Sequence, residues 1–219
     1  MTLQIVLSLL IGYLAGSVSF AVCIAKAKGI DIFSKGSGNP GATNVKRVLG
    51  RKAGNFVFLL DFLKGTVAAG VGLWLAGDPG GIAGAGGAVA GHSCSVFLKF
   101  RGGKGVAVTM GALLALLPLV LLAGLLVWVA VFFTTRIVSL ASVLFAVTLP
   151  VAAGLLRLFL ASPEAGEGSG GGSSLAPSTE LVVFAAVIGV LIVVRHRSNL
   201  VRLMSGQENS FRKEPEDRK

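Results

Sequence analysis

Lys35–Arg47 reads KGSGNPGATNVKR, and its position between two long apolar runs decides the fold. A segment this polar has no place inside a bilayer unless it is buried in protein or lines a cavity. The chain around it therefore reads as membrane helices joined by polar loops. Within the stretch, Gly36, Gly38 and Gly41 let successive backbone N–H groups turn toward one anion. Ser37, Asn39, Thr43 and Asn44 can add donors, while Lys35, Lys46 and Arg47 supply the opposite charge. The pattern Gly36-x-Gly38-x-x-Gly41 also matches a dinucleotide-binding turn, but no strand precedes it and no βαβ unit surrounds it. What survives is a glycine-rich nest for phosphate at a membrane surface.

Composition supports a membrane reading. The 219 residues are 53% hydrophobic and only 14% charged, with mean hydropathy +0.82, far less polar than a soluble chain. The net charge of +10 would suggest nucleic acid in a soluble protein. Here the cations cluster beside apolar runs, which points to membrane topology and anionic ligands and to no nucleic acid. Cys23 and Cys94 both fall near expected cytoplasmic ends of spans and read as core residues rather than a disulfide.

Working outward gives the spans. Leu3–Ala25 is long enough for one crossing and lacks a basic leader and a cleavage site. Gly54–Ala76 is interrupted by Asp61 and Lys64, whose spacing of three puts them on one helix face as a supporting pair. Gly81–Phe97 is rich in glycine and alanine, which suits close helix packing. Val106–Thr135 is too long for one crossing and reads as two helices meeting near Pro118. Val138–Leu160 and Leu181–Val194 complete about seven helices in one domain spanning residues 1–219. By the positive-inside rule the N-terminus is outside and the C-terminus cytoplasmic. Residues 161–179 read as a flexible outer loop and 209–219 as a disordered cytoplasmic tail.

That topology brings three polar segments to one side. Beside KGSGNPGATNVKR lies Lys99–Gly105, KFRGGKG, where Lys104 sits among Gly102, Gly103 and Gly105 and can reach a phosphate without crowding it. It is no Walker loop, since Gly105 stands where Ser or Thr is needed. His92 lies upstream, beyond direct reach along one helix, and reads as a supporting residue. The third segment is RHRSNLVRLMSGQE, Arg195–Glu208, in which His196 and Asn199 share a helix face and Arg195, Arg197 and Arg202 suit anionic lipid. Ser139 and Ser142 can add hydroxyls from the sixth span. No set of residues has metal-ligand spacing, so neither a metal nor a cofactor is expected. A transporter for a small phosphate ester is the rival reading, but it needs its anion site near the midplane, whereas these cations gather at one face.

Taken together, GSGNPGATNVKR (Gly36–Arg47), GH followed by KFRGGKGVA (Gly91–Ala107), and HRSNLVRL with the later GQE (His196–Glu208) resemble the bacterial membrane acyl-phosphate:glycerol-3-phosphate acyltransferases. Asp61–Gly65 (D-x-x-K-G) and T-R-x-V-S from Thr135 belong to the same likeness, which touches nearly the whole chain. Two features depart from the family: Cys94 and Ser95 stand where an aromatic and a proline usually follow His92, and the Ser/Gly outer loop is an insertion. The resemblance implies transfer of a fatty acyl group from acyl-phosphate to the 1-hydroxyl of sn-glycerol 3-phosphate, in the cytoplasmic membrane with the site facing the cytoplasm. Membrane lipid, and the soluble enzyme that makes acyl-phosphate, are the partners it implies. Ser37 to Ala42 resembles the loop that holds the acyl-phosphate. Arg47, Lys104, Ser142 (or Ser139), His196 and Asn199 resemble the residues around the polar substrate, with Arg202 and Glu208 in support. The base remains open between His196 and a substrate phosphate oxygen.

Overall fold

The computed structural model describes residues 1–161 and 176–211; most of the expected outer loop (162–175) and the end of the tail (212–219) lie outside the described residues. All regular structure among the described residues is helical, as the apolar periodless runs require. The helices are α1 (Thr2–Ser17), α2 (Phe20–Ala27), α3 (Ala42–Leu49), α4 (Arg51–Ser93), α5 (Val106–Leu116), α6 (Pro118–Thr135), α7 (Val138–Leu160), α8 (Thr179–Arg195) and α9 (Arg197–Met204). Four stretches (Thr2–Ala27, Arg51–Leu98, Pro118–Thr135 and Val138–Leu160) are long and apolar enough to cross a membrane. The pair α8–α9, bent by 57°, makes a fifth. Large apolar side chains such as Leu3, Trp74, Leu126 and Phe159 point outward. A surface of that kind suits lipid, which imposes no cost for exposing hydrocarbon.

Breaks in the helices set the architecture. The first run, expected as one helix, is interrupted at Val18–Ser19. The carbonyls freed there find side-chain donors: Ser95 Oγ donates to Ser17 O (2.6 Å) and Lys64 Nζ to Val18 O (2.8 Å). In α4 the backbone leaves helical geometry at Ala76 and Gly77, and Gly77 takes φ +60°, open to glycine at no steric cost. The two halves then fold back on each other, with Gly72 against Gly80 and Gly84 against Ala68. A third break at Leu117 starts α6 with Pro118 in its first turn, where a missing N–H costs nothing. The expected division near Pro118 is therefore present.

The glycines of α4 act through contact. A Cβ on Gly87 would lie 2.3 Å from Leu9 O and one on Gly91 would lie 2.1 Å from Tyr13 O, so α1 and α4 touch backbone to backbone. Gly86, by contrast, faces open space. The main core joins α4, α5, α7 and α8 through Val89, Leu113, Phe145, Leu149 and Ile192. A smaller one, built on Ile32, Val45 and Val57, anchors the polar loop before α3 to α4. Two expectations need correction. Cys23 and Cys94 are exposed free thiols rather than core residues. The chain from Asn209, expected as tail, is docked as far as Phe211, whose N–H donates to Arg136 O (2.9 Å) and whose ring lies 5.3 Å beneath Arg47.

Candidate active site

The Gly-rich loop is shaped by Asn44, in the first turn of α3. Its Oδ1 accepts from the Ser37 N–H (2.8 Å), and its Nδ2 donates to Lys35 O (3.0 Å) and Ile32 O (3.3 Å). Both amide protons are thus taken, and Asn44 serves the loop's shape rather than donating to a ligand. Gly36 and Gly38 have φ of +58° and +67°. A Cβ on Gly36 would stand 2.2 Å from Asn44 Oδ1, so the nest requires glycine there on two counts.

The Lys104 loop is clamped from behind. Gly103 N–H donates to His92 O (3.0 Å), and a Cβ on Gly103 would meet His92 Nε2 at 2.2 Å. His92, beyond reach along one helix, is brought to the Lys104 loop by the turn that follows Ser93, in the supporting place expected of it. Its Nδ1 lies 3.0 Å from Lys64 Nζ, which is 2.8 Å from Asp61 Oδ1, so the expected Asp61–Lys64 pair braces this loop. Arg195 completes the clamp. Its Nη2 donates to Ser93 O (3.1 Å), Gly102 O (3.1 Å) and Gly103 O (3.0 Å), and its Nε to Gly103 O (3.3 Å). Reading Arg195 as a lipid contact missed this, because carbonyls made available by a distant loop leave no trace in sequence spacing.

The bend between α8 and α9 presents the third segment. His196 Nδ1 lies 2.8 Å from Ile192 O; since a carbonyl only accepts, Nδ1 carries the proton and Nε2 is the nitrogen left for a ligand. Lys104 Nζ donates to Asn199 Oδ1, and Asn199 Nδ2 donates to Glu208 Oε1 (2.6 Å). Glu208 also accepts from Ser139 Oγ (2.9 Å) and, at Oε2, from Arg202 Nε (2.8 Å). Burial opposes ionisation of Glu208, but the hydrogen bonds from Asn199, Ser139 and Arg202 outweigh it and hold the carboxyl below its ordinary range. Burial pushes the Lys104 ammonium down to about 8; Glu208 opposes that shift, while Arg202, Arg47 and Arg195 add to it.

These groups converge on a cavity of about 130 Å³. Ser37, Asn39, Gly41, Ala42 and Thr43 line it from the first segment, with Arg47, Lys104, His196 and Asn199. Ser139 and Ser142 reach it, as do Asp61, His92 and Glu208. Phe58, Met110, Trp128 and Val138 add an apolar wall. Gly36, Gly103 and Lys64 act from behind that wall, while Gly38, Gly102 and Arg202 line a second cavity beside it. Trp128 was not singled out from the sequence; its Nε1–H donates to Ser142 Oγ (3.3 Å), and an indole in an apolar run gives no sign of this. Among the described residues, no three His, Cys, Asp or Glu side chains come together to hold a metal ion.

The combination defines a class: a helical integral membrane protein with a cationic, glycine-lined cavity beside an apolar wall. The comparisons narrow it. The sequence model of the glycerol-3-phosphate acyltransferase family matches residues 6–206. A glycerol-3-phosphate acyltransferase of Aquifex aeolicus (strain VF5) is 41% identical over 206 residues, covering 91% of this chain and 95% of its own. One from Salinibacter ruber is 42% identical over 221 residues, covering 93% and 90%. The crystal structure of PlsY (YgiH), an integral membrane glycerol 3-phosphate acyltransferase, in its glycerol 3-phosphate form is similar with TM-score 0.81, 39% identity and coverage of 95% and 96%. Its lysophosphatidic acid form gives TM-score 0.79, 39% identity and coverage of 95% of each chain. This chain belongs to the glycerol-3-phosphate acyltransferase family and is an integral membrane acyltransferase.

Proposed function

We propose that this acyltransferase moves a fatty acyl group from acyl-phosphate to the 1-hydroxyl of sn-glycerol 3-phosphate, giving lysophosphatidic acid and inorganic phosphate. The observation that carries this reading is a single cavity in which the Ser37 loop, Lys104 and His196 face an apolar wall of Phe58, Met110 and Trp128. A lipid anion and a small free anion can meet there. The solved relatives, named for glycerol 3-phosphate and lysophosphatidic acid forms, support that substrate and that product.

In the step, the acceptor O1 attacks the acyl carbonyl carbon, the bond from that carbon to the bridging oxygen breaks, and phosphate leaves with that oxygen and the electron pair. The donor phosphate lies in the nest of Ser37 to Ala42, and Lys104 faces the charge that grows on it, an electrostatic aid fixed in place by Asn199 and Glu208. Arg47, Ser142, Asn199 and His196 Nε2 hold the acceptor. The hydroxyl proton passes to a phosphate oxygen, so His196 positions rather than abstracts. Gathering both substrates beside one another supplies proximity.

The chain forms one domain of seven crossing segments: α1 with α2, the two halves of α4, and α5 to α8. The polar site then faces the cytoplasm of a bacterial inner membrane, with the N-terminus outside. The grouping of Lys35, Lys46, Arg47, Lys104 and Arg195 around one end of the bundle supports that orientation. A soluble enzyme that makes acyl-phosphate is the natural supplier of the donor. The test is phosphate release by the purified protein in lipid. Release that needs both substrates, forms lysophosphatidic acid and is lost in Lys104→Ala supports the reading; no release with acyl-phosphate but lysophosphatidic acid formed from an acyl thioester replaces the donor, and inactivity with every donor refutes acyl transfer.

A further inference from the structure

The second cavity, about 380 Å³, adjoins the first across the donor loop: Ser37, Asn39 and Lys104 line both, and Gly38 and Pro40 line the second alone. Every charged side chain on its wall is a cation: Arg101, Lys104, Arg195, Arg197 and Arg202. Three of them have partners already. Lys104 donates to Asn199, Arg195 to the loop carbonyls and Arg202 to Glu208. Arg101 and Arg197 differ. Arg101 stacks over Phe33 with its guanidinium 4.4 Å from the ring centre, and neither arginine makes an ion pair among the described residues. Both are exposed, and they come from separate elements, the Lys99–Gly105 loop and the first turn of α9.

Unpaired guanidinium groups held around one concavity repel each other, and an anion between them relieves that repulsion. Their planar forks suit phosphate oxygens in particular. A cleft of one sign also concentrates free counter-ions and speeds their capture, an effect that salt removes. A lipid anion gains less from it, because its acyl chain already concentrates it at the bilayer.

We propose that this arginine-lined cavity is a separate subsite for free, water-soluble phosphate groups: the phosphomonoester acceptor docks here before passing Lys104 into the reacting cavity, and released inorganic phosphate leaves the same way. The inference rests on the acyl-transfer reading for its two ligands but not for its chemistry. Lys104, Ser37 and Asn39, common to both cavities, form the threshold between them.

The test is the double variant Arg101→Gln/Arg197→Gln in full-length protein in lipid, compared with Arg101→Lys/Arg197→Lys at low and high salt. The glutamine pair should raise KM for glycerol 3-phosphate about tenfold at low salt and flatten its salt dependence, with kcat and the KM for acyl-phosphate retained. The lysine pair keeps the charge without the forks, so it should retain the salt dependence while its KM falls between the glutamine pair and the wild type. Inorganic phosphate should compete with glycerol 3-phosphate in the wild type and inhibit the glutamine pair more weakly. An unchanged KM and salt slope, or an equal rise in KM for acyl-phosphate, would overturn the subsite. Should the wild type transfer no acyl group from acyl-phosphate, the reaction reading fails on its own. Calorimetric binding of inorganic phosphate then decides the subsite: weaker binding to the glutamine pair supports it, and equal binding overturns it.

Discussion

Alkaline pH separates the charge on Lys104 from the integrity of the fold, because the two respond in opposite directions. With its ammonium pushed by burial to about 8, Lys104 is protonated at pH 7 and only about one-tenth protonated at pH 9. If the charged form faces the leaving phosphate, kcat/KM falls about tenfold between those two values and continues to fall with unit slope. A lysine at its ordinary 10.5 would stay charged over the same range. The stability sign is the reverse. Between about 8 and 10.5 the unfolded chain still holds the proton that the folded chain has released, so the folded state gains stability as pH rises, by about 3 kcal/mol at most. The assay is initial-rate acyl transfer from pH 6.5 to 9.5 with a parallel unfolding curve, corrected for spontaneous hydrolysis of the donor. Lys104→Arg keeps its charge throughout and should show no alkaline limb, whatever its rate. A wild-type profile flat to pH 9.5, or an alkaline loss that tracks falling stability, refutes the reasoning.

Gly103→Ala places a Cβ 2.2 Å from His92 Nε2, in a ring already fixed by Lys64, so it should cost roughly 1–3 kcal/mol and lower kcat/KM in step; thermal unfolding and kinetics in lipid check both. Arg195→Lys replaces a fork that spans three carbonyls by a single point donor, and kcat should drop by one to two orders of magnitude with the helices intact by circular dichroism. Arg195→Met should also move the Lys104 limb upward, since a cation that lowers that lysine has been removed. Asn44→Ala leaves the Ser37 N–H and two carbonyls without partners, with an expected loss of roughly 1–3 kcal/mol and a raised KM for the donor.

The helical class was legible because it depends on local composition, and the three polar segments that meet at one cavity stood out by their glycines and cations. Apolar length gives the spans, and glycine beside cations gives the phosphate loops. Even the division near Pro118 follows from a local rule, since proline starts a helix more readily than it continues one. What stayed hidden depends on meetings between distant segments. The break at Val18 occurs in an unbroken apolar run and is stabilised by Lys64 from another helix. His92 reaches the Lys104 loop because the chain turns after Ser93, and Trp128 reaches Ser142 because α6 packs on α7. Spacing along the chain carries none of this. Asn44 was read correctly as part of the loop but with the wrong partner, since its amide serves the backbone around it.

The docked C-terminal strap has a consequence for biogenesis. Glu208 is the acceptor shared by Ser139, Asn199 and Arg202, and Phe211 seats against Arg47. Both lie beyond the last helices, α8 and α9. During synthesis every membrane segment emerges before they do. The helices therefore emerge while the carboxylate that aligns Asn199 and Lys104 is still missing, and the polar constellation closes only once Glu208 has followed them. A chain cut before Glu208 keeps helices α1 to α9 but loses the acceptor that organises the centre.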